Sequence, residues 1–242
     1  MVSRAAFLAF LLLSAFVMKA VGEFIHEVLG HCLFVKLFGG YVIRVYIAML
    51  WPYELSEVVY GSPQSGFQTW QSALITASGI VVCVLASLIL QGLLLLNKVK
   101  ATSSSSILFW LSFWTSISPA GYLIIGGIRP FGDVQQLIEL RVLTQTSALL
   151  IGLIVFSVSF FSLLRVFKEI LLGAKLFQSI KSMRVSVAIL WLSIPVLATM
   201  AMVGLHMPFS FAWLLPISII PSIVAYAIAP KAWLSKGCAT QE

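Results

Sequence analysis

Glu23-Phe-Ile-His26-Glu27-Val-Leu-Gly30-His31 places four ionisable side chains within nine residues, inside a stretch that is otherwise apolar. Ionisable groups within a membrane span cost several kcal/mol unless they face a cavity, a partner or a metal, so the set calls for a shared purpose. A helix carrying His-Glu-x-x-His sets two imidazoles one turn apart around a zinc ion and leaves the glutamate to activate water. This chain reads His26-Glu27-Val-Leu-Gly30-His31, one residue longer. On a regular helix, five steps of about 100° place His26 and His31 about 140° apart.

Two geometries resolve the mismatch. A π-bulge adds one residue to a turn and returns both histidines to one face, and Gly30 lowers the cost of that distortion. Alternatively the helix is regular and Glu23, Glu27 and His31 share a face at i, i+4 and i+8, with His26 three residues after Glu23. The second arrangement is similar to the Glu-x-x-His half of a carboxylate-bridged di-iron site, whose other half is not evident in the remaining spans. A bundle of polar residues bonded only to one another, without metal, is the third reading.

The elements that position these residues follow from composition. Of 242 residues 60% are hydrophobic and 10% are charged, with a mean hydropathy of +1.06, against about 25% charged residues in soluble chains. A water-soluble globule is excluded, and the expected fold is an all-α polytopic membrane protein. Six apolar segments, at 5–38, 71–96, 106–128, 143–164, 185–205 and 208–229, are separated by turn-rich or charged stretches. The first, as straight helix, would run about 51 Å against a hydrocarbon core of about 30 Å, so it must tilt, bend or emerge. Its apolar pattern continues past Gly22 to Gly39-Gly40 without a break, which favours an uncleaved first span over a signal peptide.

Between the first two segments, Tyr41-Val-Ile-Arg-Val-Tyr-Ile-Ala is rich in β-formers, and Trp51-Pro52, Gly61-Ser-Pro63 and Gly66 signal turns, predicting a short interfacial hairpin. Arg165 to Arg184 carries Lys168, Lys175 and Lys181 among apolar residues and reads as a basic amphipathic helix on a membrane surface. With six spans, Arg4, Lys98, Lys100, Arg165, Lys168, Lys175, Lys181, Arg184, Lys231 and Lys236 share one face, and Lys36, Arg44, Arg129 and Arg141 the other. The positive-inside rule then puts both termini in the cytoplasm, and the 39–70 loop and Asp133 outside. The net charge of +7 reads as orientation, and the aromatic residues at span ends as interfacial anchors, with no nucleic-acid partner expected. Cys32, Cys83 and Cys238 suggest neither a disulfide framework nor a paired-cysteine metal site.

Several residues have simpler readings. Lys19 snorkels or pairs with Glu23 one turn away, and Cys32 is a small core residue. Arg129 and Asp133 form a structural ion pair in the reading without metal. His206 is an interfacial residue, or with His31 an axial haem ligand. Pro195, Pro216 and Pro221 kink the last spans.

His31-Cys-Leu-Phe-Val-Lys-Leu-Phe-Gly39-Gly-Tyr-Val-Ile-Arg-Val-Tyr-Ile resembles the site-2 protease family of intramembrane zinc metalloproteases, in which glycine follows the last zinc-motif histidine by eight residues and a β-hairpin comes next. Ala73-Leu-Ile-Thr-Ala-Ser-Gly79 resembles the start of that family's second core helix, with Ile80 where proline is usual. The family's third zinc ligand is an aspartate in a proline-containing Asp-Gly motif; Pro130-Phe-Gly132-Asp133 is the match here, with the glycine preceding the aspartate and the Asn-x-x-Pro spacing absent. The resemblance covers roughly residues 20–140. It implies a three-helix metal-binding core at 1–142, with additional membrane helices and the basic helix at 143–242. It further implies Zn²⁺ held by His26, His31 and Asp133, Glu27 as general base, and cleavage of membrane-embedded or membrane-proximal peptides. The alternative is a non-catalytic membrane protein, either a proton- or ion-coupled transporter or an inactive relative acting as a scaffold.

Overall fold

Apolar side chains on every face, rather than along one stripe, mark a helix that lies in lipid or in a bundle core. The computed structural model, described over residues 4–47, 56–96, 103–174, 184–188 and 220–228, has four helices long and apolar enough to cross a bilayer: Ala5–Leu37, Thr69–Leu96, Ser103–Ile128 and Gln145–Leu171. The fold is helical and membrane-integral, as expected. The first four predicted segments correspond to these helices. The fifth and sixth, 185–205 and 208–229, lie largely outside the described residues, apart from 185–188 and a helix at Ile220–Ile228; His206, Pro195, Pro216 and Cys238 lie outside them as well.

The first span changes hydrogen-bonding pattern twice: α1 (Arg4–Phe24), a π-helical segment (Ile25–Cys32) and α2 (Leu33–Leu37). After Gly39-Gly40, β1 (Tyr41–Tyr46) and β2 (Glu57–Gly61) pair antiparallel, with Tyr41 opposite Gly61, Tyr46 opposite Glu57 and an irregularity between Val42 and Arg44. The expected hairpin is present. Then come α3 (Thr69–Leu96), α4 (Ser103–Ile128), the short α5 (Gly132–Glu139) and α6 (Gln145–Gly173).

The central helix is α4: 72% of its span is buried, against 28–33% for the other three. Small residues, among them Ser112, Ser116 and Ala120, let its neighbours approach closely. Indole N–H groups of Trp110 and Trp114 donate to the carbonyls of Leu11 and Ala15 at 2.7 Å, fastening α4 to α1 at matched one-turn spacing. Toward α3, Ser87 donates to the Ser112 carbonyl at 2.8 Å and accepts from Gln91. Without water in the bilayer core, these polar groups must satisfy one another.

Over 165–173, the structure corrects the surface helix expected at 165–184. Residues up to Gly173 continue α6, and Val166, Phe167, Ile170 and Leu171 are buried in a core shared with Phe109, Trp110 and Phe113. Arg165 is exposed, and Lys168 pairs with the adjacent Glu169 at 3.8 Å, so the charged residues of this turn share a helix whose other face is buried. Residues 175–183 lie outside the described part of the chain.

Candidate metal centre

A π-helix closes its hydrogen bonds at i→i+5, so residues five apart stand one above the other, as residues four apart do in an α-helix. The segment Ile25–Cys32 does this to the extended histidine motif; Leu33 N–H returns to the Val28 carbonyl five residues earlier. The regular-helix alternative, with Glu23, Glu27 and His31 as a shared ligand face, is thereby overturned. His26 and His31 point the same way, and their Nε2 atoms are 3.2 Å apart.

The second helix permits this through glycine. A Cβ on Gly30 would stand 2.5 Å from the Gly79 Cα, and a Cβ on Gly79 would stand 2.6 Å from His26 Nε2 and 2.7 Å from His31 Nε2. Thus α3 crosses the π-helical segment at backbone contact, with Gly79 under both imidazoles. Four residues earlier, the Ile75 carbonyl meets His31 Nδ1 at 2.7 Å. A carbonyl only accepts, so Nδ1 carries the hydrogen, and whenever the ring is neutral its Nε2 presents a lone pair.

Asp133 arrives from the opposite wall. The chain leaves α4, takes a left-handed turn at Gly132 (φ +51°) and enters α5 with Asp133 in its first turn, where a negative charge suits the helix N-terminus. Its Oδ2 lies 3.2 Å from His26 Nε2 and 3.2 Å from His31 Nε2. Burial acts to raise the Asp133 carboxyl, but the hydrogen bonds and charge of the two imidazoles in their protonated form outweigh it and hold the group at about 2.

Two donor atoms from one helical turn and a third from a residue about a hundred positions later therefore form a triangle with 3.2 Å edges. Four-coordinate zinc, with bonds of about 2.0–2.1 Å, holds its donors roughly 3.3 Å from one another. Converging lone pairs require a cation or a proton between them, and the His31 hydrogen bond to a backbone carbonyl is the usual way a metal-ligating imidazole is oriented. The donor set fits a transition-metal ion with one position left open.

Glu27, 5% exposed, faces the same cavity and makes no hydrogen bond or ion pair among the described residues. The cavity holds about 770 Å³ and is lined by the triad together with Lys19, Glu23, Cys83, Tyr60 and Tyr122, among others. Deeper in the span, Lys19 pairs with Glu23 at 3.6 Å, one of the two arrangements expected for it, and Ser56, next to β2, donates to the other Glu23 oxygen at 2.8 Å. Cys32 is buried, as expected.

Sequence reasoning missed three contributors. Cys83 Sγ lies 4.0 Å from His26 Nδ1. Tyr122 accepts the Asp133 backbone N–H at 3.2 Å. Tyr60 brings the hairpin within reach of the cluster, and burial, then the Asp133 carboxylate, push its phenol above the ordinary range. None belongs to a motif, and only Tyr122, eleven residues before Asp133 near the end of the preceding helix α4, carried a positional hint. The chain matches no family model, no curated protein and no solved structure.

Proposed function

We propose that the chain is an intramembrane zinc metallopeptidase with a site-2-protease-like core, cleaving a transmembrane or membrane-proximal peptide that unwinds locally to reach the cavity. The observation that carries the reading is the 3.2 Å triangle of His26, His31 and Asp133 with Glu27 unpartnered beside it. His26 and His31 would hold the ion through Nε2, and Asp133 through its carboxylate. Zinc, when bound, supplies a Lewis acid that makes water a nucleophile near neutral pH.

The chain's own residues do the rest. Glu27 takes a proton from the water that attacks the peptide carbonyl, then delivers it to the departing nitrogen, acting as base and then as acid. Ile75 holds the His31 ring in the tautomer that leaves Nε2 free. Phe38, Trp70 and the exposed leucines along α3 give the surrounding surface an apolar character suited to a lipid-embedded substrate.

The test is hydrolysis of a transmembrane peptide library by the purified chain and by Glu27→Gln. Metal-dependent cleavage by the wild type, abolished in a Glu27→Gln variant that still binds metal, is the expected result; equal product from both would end the protease reading.

The buried Lys19–Glu23 pair favours a second reading, a proton- or ion-coupled carrier, because such proteins keep ionisable pairs at midspan. A carrier has no need of a stoichiometric transition metal, and metal content separates the two.

A further inference from the structure

Hydrolysis of a peptide develops negative charge on the carbonyl oxygen as water adds, and enzymes set a fixed donor where that charge will appear. Several donors around the cavity are already engaged: Ser56 and Lys19 on Glu23, and Thr76 on Gln136. Tyr122 differs. Its oxygen accepts the Asp133 N–H, while among the described residues nothing accepts its proton.

The position of this hydroxyl is tightly determined. A Cβ at residue 132 would collide with the Tyr122 oxygen, so Gly132 is what allows it to lie against the Gly132–Asp133 peptide. The ring is held edge-to-face by Phe131, with centroids 4.5 Å apart, and lies perpendicular to the His26 imidazole at 6.4 Å. The residue whose amide fixes the hydroxyl is the one whose carboxylate completes the triad, and both line the cavity that Glu27 faces. Tyr60, the other phenol lining it, sits on a two-stranded hairpin, and its hydroxyl makes no hydrogen bond among the described residues.

We infer that Tyr122 is the oxyanion donor of the reaction proposed above, an inference that rests on that reading. As the water oxygen bonds to the carbonyl carbon, the carbonyl π pair moves onto its oxygen and one water proton passes to Glu27. Tyr122 O–H donates a hydrogen bond to that oxygen and keeps its proton. When the C–N bond breaks, its electron pair goes to nitrogen, which takes the proton from Glu27 while the carbonyl re-forms.

The experiment compares wild type, Tyr122→Phe, Tyr60→Phe and Glu27→Gln as full-length chains in detergent. It measures zinc content, kcat and KM for a cleaved peptide, and the affinity for a phosphinic peptide, a tetrahedral mimic. Tyr122→Phe is expected to hold zinc as the wild type does, keep KM, lose kcat by about 10²–10³-fold and bind the phosphinic peptide correspondingly less well. Unchanged kcat and mimic affinity overturn the inference, as does a loss confined to Tyr60→Phe. Zinc loss in Tyr122→Phe overturns it too, because the residue would then be a prop for Asp133. Wild type and Glu27→Gln that are equally inert sink the protease reading and Tyr122 with it; an active wild type with an unaffected Tyr122→Phe sinks Tyr122 alone.

Discussion

His26 Nε2 and His31 Nε2 stand 3.2 Å apart although five positions separate the two residues. The π-helical segment closes that separation, and a single residue is the difference between this motif and its regular counterpart. Deleting Leu29 would leave His-Glu-Val-Gly-His, spaced for an α-helix. The deletion variant is expected to retain metal binding with a regular helical turn in place of the π-turn, measured as metal stoichiometry. Loss of the metal, with the fold intact by circular dichroism, would show that the π-turn does more than set spacing.

Gly79 is the second condition for the cluster. A methyl there would stand 2.6 Å from one ring nitrogen and 2.7 Å from the other, at the atoms that would hold the ion. Gly79→Ala is therefore expected to weaken metal affinity strongly. Gly92, on the same helix with nothing within 4 Å of its added Cβ, provides the contrast: Gly92→Ala should leave affinity unchanged and stabilise α3 by up to about 1 kcal/mol. Metal titration and thermal unfolding of both variants check this, and equal affinities would contradict the close approach of α3.

Lys19 and Glu23 form a pair in which breaking one side is worse than removing both. Lys19 is 4% exposed, so Glu23→Leu strands a cation in the bundle, at a cost of about 3–5 kcal/mol, while Lys19→Met combined with Glu23→Leu is expected to lose much less. Unfolding in detergent measures the difference. A single variant as stable as the double would mean that water or lipid headgroups reach Lys19.

Much of the fold was legible because lipid imposes a simple rule: long runs of apolar residues became the four spans, and the β-branched and aromatic run at Tyr41–Tyr46 became a strand. Arg165 and Lys168 interrupt the apolar run after Leu164, which is why the fourth span reads shorter in the sequence than the helix is. On the helix Arg165 faces outward and Lys168 pairs with Glu169, while Val166, Phe167 and Ile170 remain in the core. The candidate ligand residues stood out since four ionisable groups in one span demand a reason, while the extra residue left a π-turn and a regular helix both open, and the structure shows the π-turn. Gly79 stood in the stretch that resembles a second core helix, but its place under both imidazoles follows only from how α3 crosses the first span, as does the approach of Cys83 to His26; Tyr122 meets the Asp133 amide across the turn between α4 and α5.

Central to all of this is whether His26, His31 and Asp133 hold one metal ion together. The direct measurement is elemental mass spectrometry of the purified, metal-replete protein beside His31→Ala and Asp133→Ala. About one zinc per chain, lost in both variants while both remain folded, is the expected result. A wild type that carries no stoichiometric metal, or variants that keep it, would contradict the shared site.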